Sequence, residues 1–150
     1  MALVTMKEIV DKAWKEGNCI PAFNVGSLEM VRGAIRAADE LEVPIIIQIA
    51  ERLLKYAPLE IIGPGMVQAA REAKVDVAVN FDHSRTEETI RKALEYGFTS
   101  VMYDGSTDEF EENIRGTKKI VDIAAAYGAS VEGELGLVGG SEDGLSDHGM

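Results

Sequence analysis

At 150 residues, with 46% hydrophobic and 27% charged positions, the chain has the size and balance of one globular domain rather than a disordered or fibrous segment. A formal net charge of −11 argues against a nucleic-acid partner, which needs clustered Lys and Arg to displace counterions, and against binding to anionic membranes. The single cysteine, Cys19, allows no internal disulfide. The first residues lack a basic region followed by an apolar core, so a cytoplasmic protein is expected.

Hydrophobic periodicity divides the chain into alternating helices and strands. Thr5 to Gly17 reads as a helix with Met6, Ile9, Val10, Ala13 and Trp14 on one face and Gly17 as its stop. A short extended stretch from Ile20 to Val25 precedes a second helix capped by Ser27, whose apolar stripe is Met30, Val31, Ala34, Ala37, Ala38 and Leu41. The β-branched run Val43 to Ala50 reads as a buried strand. Leu53 to Ala73 is helical with an expected interruption at Gly63-Pro64-Gly65, and Val75 to Asp82 is a third strand. Ser84-Arg-Thr-Glu87 has the form of a capping box opening a helix to Tyr96, with Gly97 as its stop. Phe98 to Asp104 is a fourth strand, Asp108 to Tyr127 a long helix, and Ala129 to Leu135 a fifth strand. From Gly136 the composition is that of a glycine-rich loop. Cys19, Trp14 and the helical Met residues are most simply packing residues.

This strict alternation predicts a parallel sheet with helices outside it. Successive residues of a strand face opposite ways. One face is apolar throughout: Phe23 and Val25; Ile45, Ile47 and Ile49; Val75, Val77, Val79 and Phe81; Val101 and Tyr103. The other turns polar toward each strand's C-terminal end, at Asn24, Gln48, Asn80 with Asp82, Asp104, and Glu132 with Glu134. Polar groups gathered at successive strand ends mark the place where α/β barrels and open α/β sheets carry their chemistry. Neither G-x-G-x-x-G nor G-x-x-x-x-G-K is present, which favours a barrel over a nucleotide-binding sheet. Five strands do not close an eight-stranded barrel, so residues 1–150 are expected to be the N-terminal part of a single (β/α)₈ domain, or to need a partner over the open edge.

Each polar residue has two readings at this level. Asp82 can cap the next helix or belong to a site, although Ser84 offers a cap of its own. His83 is a partly buried polar residue or a metal ligand. Asp104 is a turn residue before Gly105-Ser106 or a ligand. Glu134, read as lying within a strand, is costly there unless paired or metal-bound, and Glu132 on the same face would repel it. A divalent cation among these acids and the imidazole relieves that repulsion. Glu142 is a solvated loop acid or a functional one, and His148 is exposed or a ligand.

The segments Pro21-Ala-Phe-Asn24, Asn80-Phe-Asp-His83, Phe98-Thr-Ser-Val-Met-Tyr-Asp-Gly-Ser106, Phe110-Glu-Glu-Asn113 and Ser130-Val-Glu-Gly-Glu-Leu-Gly136, followed by Gly139-Gly-Ser-Glu-Asp143, resemble class II fructose-bisphosphate and tagatose-bisphosphate aldolases. The resemblance implies a (β/α)₈ barrel, a homodimer or homotetramer, and a carbohydrate-metabolising lyase. Such an enzyme reversibly cleaves a ketose 1,6-bisphosphate to dihydroxyacetone phosphate and glyceraldehyde 3-phosphate. It implies zinc as cofactor, with a second divalent or a monovalent cation beside it. By position, His83 would be a ligand of the catalytic zinc, and Asp104 and Glu134 ligands of a second or alternative metal position. Asp82 would be the acid/base at the C4 hydroxyl, Glu142 the carrier of the C3 proton, and Asn24 and Gln48 substrate contacts. The family has glycine where Ser84 stands and serine where Ala50 stands. Its remaining zinc histidines and its phosphate-binding loops lie beyond Met150.

Two rival readings remain at this level. A Schiff-base aldolase needs a lysine at a strand's C-terminal end, and none occupies such a position; Lys74 precedes its strand. The other is a non-catalytic barrel segment serving as a regulatory or assembly subunit of an aldolase. The residues do not separate fructose from tagatose as substrate.

Overall fold

Capping chemistry sets the helix ends. In the computed structural model, which describes residues 2–136, Thr5 opens helix α1 (Met6–Glu16) with a reciprocal capping box: its hydroxyl accepts from the Glu8 amide while the Glu8 carboxylate accepts from the Thr5 amide. Gly17 closes α1 in the left-handed conformation, φ 70°. Ser27 caps α2 (Leu28–Leu41), as its sequence predicts.

The remaining elements follow in strict alternation. They are strand β1 (Ala22–Asn24), α2, β2 (Ile45–Ala50), a 3₁₀ turn (Glu51–Leu53), α3 (Leu59–Glu72), β3 (Val77–Ser84), α4 (Glu87–Glu95), β4 (Ser100–Tyr103), α5 (Phe110–Ala125) and β5 (Ser130–Gly133). All neighbouring strands pair in parallel, in the order β1-β2-β3-β4-β5, so the described residues form five parallel strands alternating with helices, an α/β fold. No helix of the described residues is long and apolar enough to cross a membrane.

The two faces of the sheet separate as the alternation requires. Ile45, Ile47, Ile49, Val77, Val79, Phe81 and Val101 point to the helical side and form one buried core with Val31, Met66, Ile90 and Ile120 from the helices. Each fully buried aliphatic or aromatic side chain there contributes roughly 1.5–3 kcal/mol. Ile46 and Ala78, one residue out of phase, belong to a second small cluster with Ile9 of α1. Helix α1 thus lies across the N-terminal end of the inner face, and the Lys7 amide also reaches the Ser130 hydroxyl of β5, 3.4 Å away. That plug leaves the inner face open toward the C-terminal ends of the strands.

Several sequence expectations are corrected. Helix α3 runs without a break through Gly63-Pro64-Gly65. Pro64 removes a hydrogen bond only from the carbonyl of Glu60, an exposed residue of the first turn, so water can satisfy it. The two glycines admit close neighbours: a Cβ on Gly65 would lie 2.5 Å from Leu28 Cδ2 and one on Gly63 3.2 Å from the Phe98 ring. The interruption falls earlier, between the 3₁₀ turn and the N-cap position of Pro58. Thr86, not Ser84, caps α4, while Ser84 ends β3 fully buried and donates its hydroxyl to the Met102 carbonyl. Glu134 follows β5 instead of lying within it. Cys19 is exposed, and Trp14 is 85% exposed, because the α1 stripe meets the rest of the fold through Met6, Ile9 and Ala13. Phe23 is also half exposed, since β1 is an edge strand of the described sheet.

Candidate functional site

The inner face becomes steadily more polar along the strands. At the level of Ile46 and Ala78 it is apolar. Two residues on, Asn24, Gln48, Asn80, Ser100 and Ser130 align in register across all five strands. Beyond that layer stand Asp82 and Glu132, then His83, Asp104 and Glu134 at the strand tips.

Asp82 and His83 are adjacent in sequence, so a regular strand would send them to opposite faces. A bulge in β3 prevents this. Phe81 pairs with Val101 and Ser84 with Tyr103, so three residue steps on β3 oppose two on β4. His83 absorbs the irregularity with φ 45°, a left-handed conformation uncommon outside glycine. The bulge lets the imidazole join the carboxylates of the inner face while Phe81 and Ser84 remain buried in the scaffold. Strain of this kind is expected where the surrounding structure holds a functional side chain in place.

The cluster has defined dimensions. His83 Nδ1 lies 3.1 Å from Asp104 Oδ2 and 3.5 Å from Glu134 Oε2, and ligand atoms of the three residues all lie within 4.8 Å of one another. Two donors each about 2.0–2.1 Å from a tetrahedral ion stand roughly 3.3–3.4 Å apart. The two His83 separations bracket that value, and one imidazole with two carboxylates is a donor set suited to zinc or a similar divalent cation. The three residues therefore fit a metal centre.

Outer contacts hold the ligating groups. Asp104 Oδ1 accepts from the Ser106 amide at 3.1 Å and from the Ser106 hydroxyl at 2.6 Å. Arg85 places a guanidinium nitrogen 3.6 Å from Asp104 Oδ2. Buried Asn113 of α5 donates to the Glu134 carbonyl at 2.7 Å and accepts from the Thr117 hydroxyl at 3.1 Å. Gly105 leaves room for it, since a Cβ there would sit 2.5 Å from Asn113 Oδ1. Asn113→Ala is expected to weaken divalent-metal binding about tenfold, as loss of an outer support does, and to lower stability by roughly 1–2 kcal/mol. Metal titration and urea unfolding of the variant check both effects, and unchanged metal affinity would make Asn113 a packing residue alone.

Electrostatics follow from the same contacts. Burial pushes the His83 imidazolium down, but the hydrogen bond to Asp104 and the charges of Asp82, Asp104 and Glu134 outweigh it, so its pKa is raised. Burial likewise raises Asp104, but the bonds from Ser106 and His83 and the field of Arg85 hold it below the ordinary aspartate range. Glu132 is raised, first by desolvation and then by Asp82, against a hydrogen bond from Asn80. As a residue Glu132 is exposed on the open inner face, yet its carboxyl lies close enough to protein atoms to lose water. Asn80 Nδ2 reaches Glu132 Oε2 at 3.4 Å, and Asn80 Oδ1 is buried without a partner among the described residues.

The expected site residues are thus partly assembled. His83, Asp104 and Glu134 converge. Asp82, almost fully buried, flanks them and accepts from Gln48 Nε2 at 3.1 Å, so Gln48 contacts the proposed acid/base directly. Asn24 is exposed and in register with Gln48. Glu132 turns to Asn80 and Glu134 to His83, and the charge of Glu134 still adds to what raises Glu132, as expected of two acids on one face. Glu142 and His148 lie outside the described residues. Sequence reasoning missed the supporting roles of Ser106, Asn113 and Arg85. Only Asn113 carried a signal, as an amide that turns up buried in an amphipathic helix.

Comparison with known proteins places this geometry in a family. The family model described as fructose-bisphosphate aldolase class-II matches residues 4–150. A fructose-bisphosphate aldolase of Thermus caldophilus is 43% identical over 141 residues, covering 94% of this chain and 46% of the relative. A 6-phospho-5-dehydro-2-deoxy-D-gluconate aldolase of Bacillus subtilis (strain 168) is 40% identical over 148 residues, covering 97% and 51%. The crystal structure of the YdjI aldolase from Escherichia coli K12 superposes with TM-score 0.86 at 36% identity, covering 93% of this chain and 55% of that one. The chain spans about half the length of the curated relatives it matches. With five parallel strands whose tips gather one imidazole and several carboxylates, and a family match over nearly its whole length, the chain belongs to the class II fructose-bisphosphate aldolase family.

Proposed function

We propose that the protein is a divalent-metal-dependent lyase that reversibly cleaves a phosphorylated ketose to dihydroxyacetone phosphate and glyceraldehyde 3-phosphate, with fructose or tagatose 1,6-bisphosphate as substrate and zinc as metal. The observation that carries this reading is the convergence of His83, Asp104 and Glu134 within 4.8 Å, beside the nearly buried carboxylate of Asp82. Relatives of similar identity carry the names of different aldolases, one for fructose bisphosphate and one for a phosphorylated deoxygluconate, so family membership alone leaves the substrate open.

His83, Asp104 and Glu134 would hold the cation, which when bound supplies Lewis-acid stabilisation of negative charge on substrate oxygens. The protein's own groups account for the proton movements. As the C3–C4 bond breaks, its electron pair stays on C3 and the C4 hydroxyl becomes a carbonyl. Asp82 accepts the hydroxyl proton. Gln48 holds one Asp82 oxygen at 3.1 Å and so fixes the direction of the other. Glu142 is assigned the proton that C3 gains, and Asn24 a substrate contact at the end of β1.

The test is release of dihydroxyacetone phosphate, measured in a coupled assay, by the protein as it is made in the cell. Fructose 1,6-bisphosphate and its C4 epimer, tagatose 1,6-bisphosphate, are compared side by side. Cleavage of one or both is expected. A metal-loaded protein that releases the product from neither sinks this substrate assignment.

A further inference from the structure

We infer that Arg85 is a specificity-determining residue, whose guanidinium receives an oxyanion at the far end of the aldehyde half of the substrate. The inference rests on the proposed aldolase reading and deepens it.

The strand tips hold Asp82, Asp104, Glu132 and Glu134, and an anionic substrate approaching them needs a positive group of the protein. Arg85, two residues after His83, brings one to within 3.6 Å of Asp104 Oδ2. That separation is longer than a well-formed N–H···O bond, so Asp104 attracts the guanidinium without engaging its fork. The other Asp104 oxygen is already taken by the amide and hydroxyl of Ser106. The Arg85 side chain is 40% exposed, which leaves its remaining donors at the open end of the inner face.

Its backbone is anchored, while its head, among the described residues, makes only the 3.6 Å ion pair with Asp104. The Arg85 amide donates to Glu51 Oε2 at 2.9 Å, and Glu51 Oε1 accepts from Thr89 Oγ1 at 2.6 Å. Glu51 thereby ties the segment after β2 to the start of α4 and fixes where Arg85 leaves the scaffold. A planar fork of donors on a fixed base is suited to two-pronged binding of phosphate or carboxylate. The assignment to the aldehyde half follows from Asp82, three residues earlier, which acts at C4, and C4 becomes the aldehyde carbon.

The condensation direction tests this in the protein as it is made in the cell. Dihydroxyacetone phosphate is paired with glyceraldehyde 3-phosphate, with succinate semialdehyde as a carboxylate arm, or with neutral glyceraldehyde. Arg85→Gln is expected to lower kcat/KM for the phosphorylated aldehyde about tenfold or more relative to that for neutral glyceraldehyde, chiefly through KM. Because Arg85 also stands beside Asp104, the metal content of the variant and its turnover of neutral glyceraldehyde are measured alongside, and the readout is the loss on the anionic aldehydes relative to the neutral one. Arg85→Lys should restore part of the difference. A loss confined to the phosphate arm assigns a phosphate, and a loss in both anionic arms assigns an oxyanion in general. Equal losses for neutral and charged aldehydes, or none, overturn the inference. If the parent protein turns over none of these pairs, the aldolase reading fails on its own. Calorimetric binding of inorganic phosphate then decides about Arg85: weaker binding in Arg85→Gln upholds the anion site, and equal binding removes it.

Discussion

His83→Ala is expected to abolish specific divalent-metal binding, and chelator treatment of the parent protein to remove activity that zinc then restores. Among the described residues His83 is the only nitrogen donor in a cluster otherwise made of carboxylates, and it touches both Asp104 and Glu134. Its removal should cost more than the roughly 10–100-fold in affinity that follows loss of an outer support. The pH dependence gives a second check. A metal takes the neutral imidazole, and the raised His83 pKa means that protons compete up to a higher pH than at an ordinary histidine. Metal affinity should therefore climb as pH increases through neutrality. Without metal the sign reverses. A histidine with a raised folded-state pKa stabilises fully below its unfolded value of about 6.5, and that contribution is lost as pH rises through the folded value. Glu132, also raised, acts in the same direction at lower pH, whereas the lowered Asp104 contributes fully across the neutral range. Thermal unfolding at pH 6 and pH 8, with zinc and with chelator, should thus show opposite trends. Parallel trends, or activity that survives chelation, would count against the metal centre.

The fold was legible because its signals are local and periodic. The phase of Ile45, Ile47 and Ile49 against Gln48 predicts which side of β2 meets the helices, and the core follows that phase. Thr5, Ser27 and Gly17 cap as their chemistry dictates. Helix interruption was less legible. Glycine and proline at positions 63–65 look like a break, but α3 uses the glycines for close contacts with Leu28 and Phe98. Tertiary packing overrides propensity there.

At the site, residue types were readable and their mutual arrangement was not. Asp82 and His83 cannot both face inward under simple alternation. The β3 bulge that allows it depends on pairing with β4, 20 residues away in sequence, and no local pattern announces it. Ser84 illustrates the same limit. Its spacing to Glu87 fits a capping box, yet the bulge keeps it in the strand and Thr86 takes the cap. Long-range contacts such as Asn113 to Glu134, or Glu51 to Arg85, join elements whose order is visible in the sequence but whose approach is set by tertiary packing.

Asp82→Ala is expected to lower turnover by about 10²–10⁴, the usual contribution of a positioned acid/base, while metal content stays within about twofold of the parent protein. The separation is physical. Asp82 is not one of the three residues whose ligand atoms gather within 4.8 Å, but it stands next to His83 and accepts from Gln48. Alanine removes the proton acceptor and leaves the ligands present. Asp82→Asn sharpens the test, because its amide oxygen can still accept from Gln48 while the side chain no longer takes up a proton. If both variants lose turnover and keep metal, the carboxylate acts on the substrate. If Asn retains most of the activity that Ala loses, Asp82 serves through its bond to Gln48. Should either variant shed the metal, Asp82 would be a support of the bulge and of His83, and the C4 proton would need another acceptor.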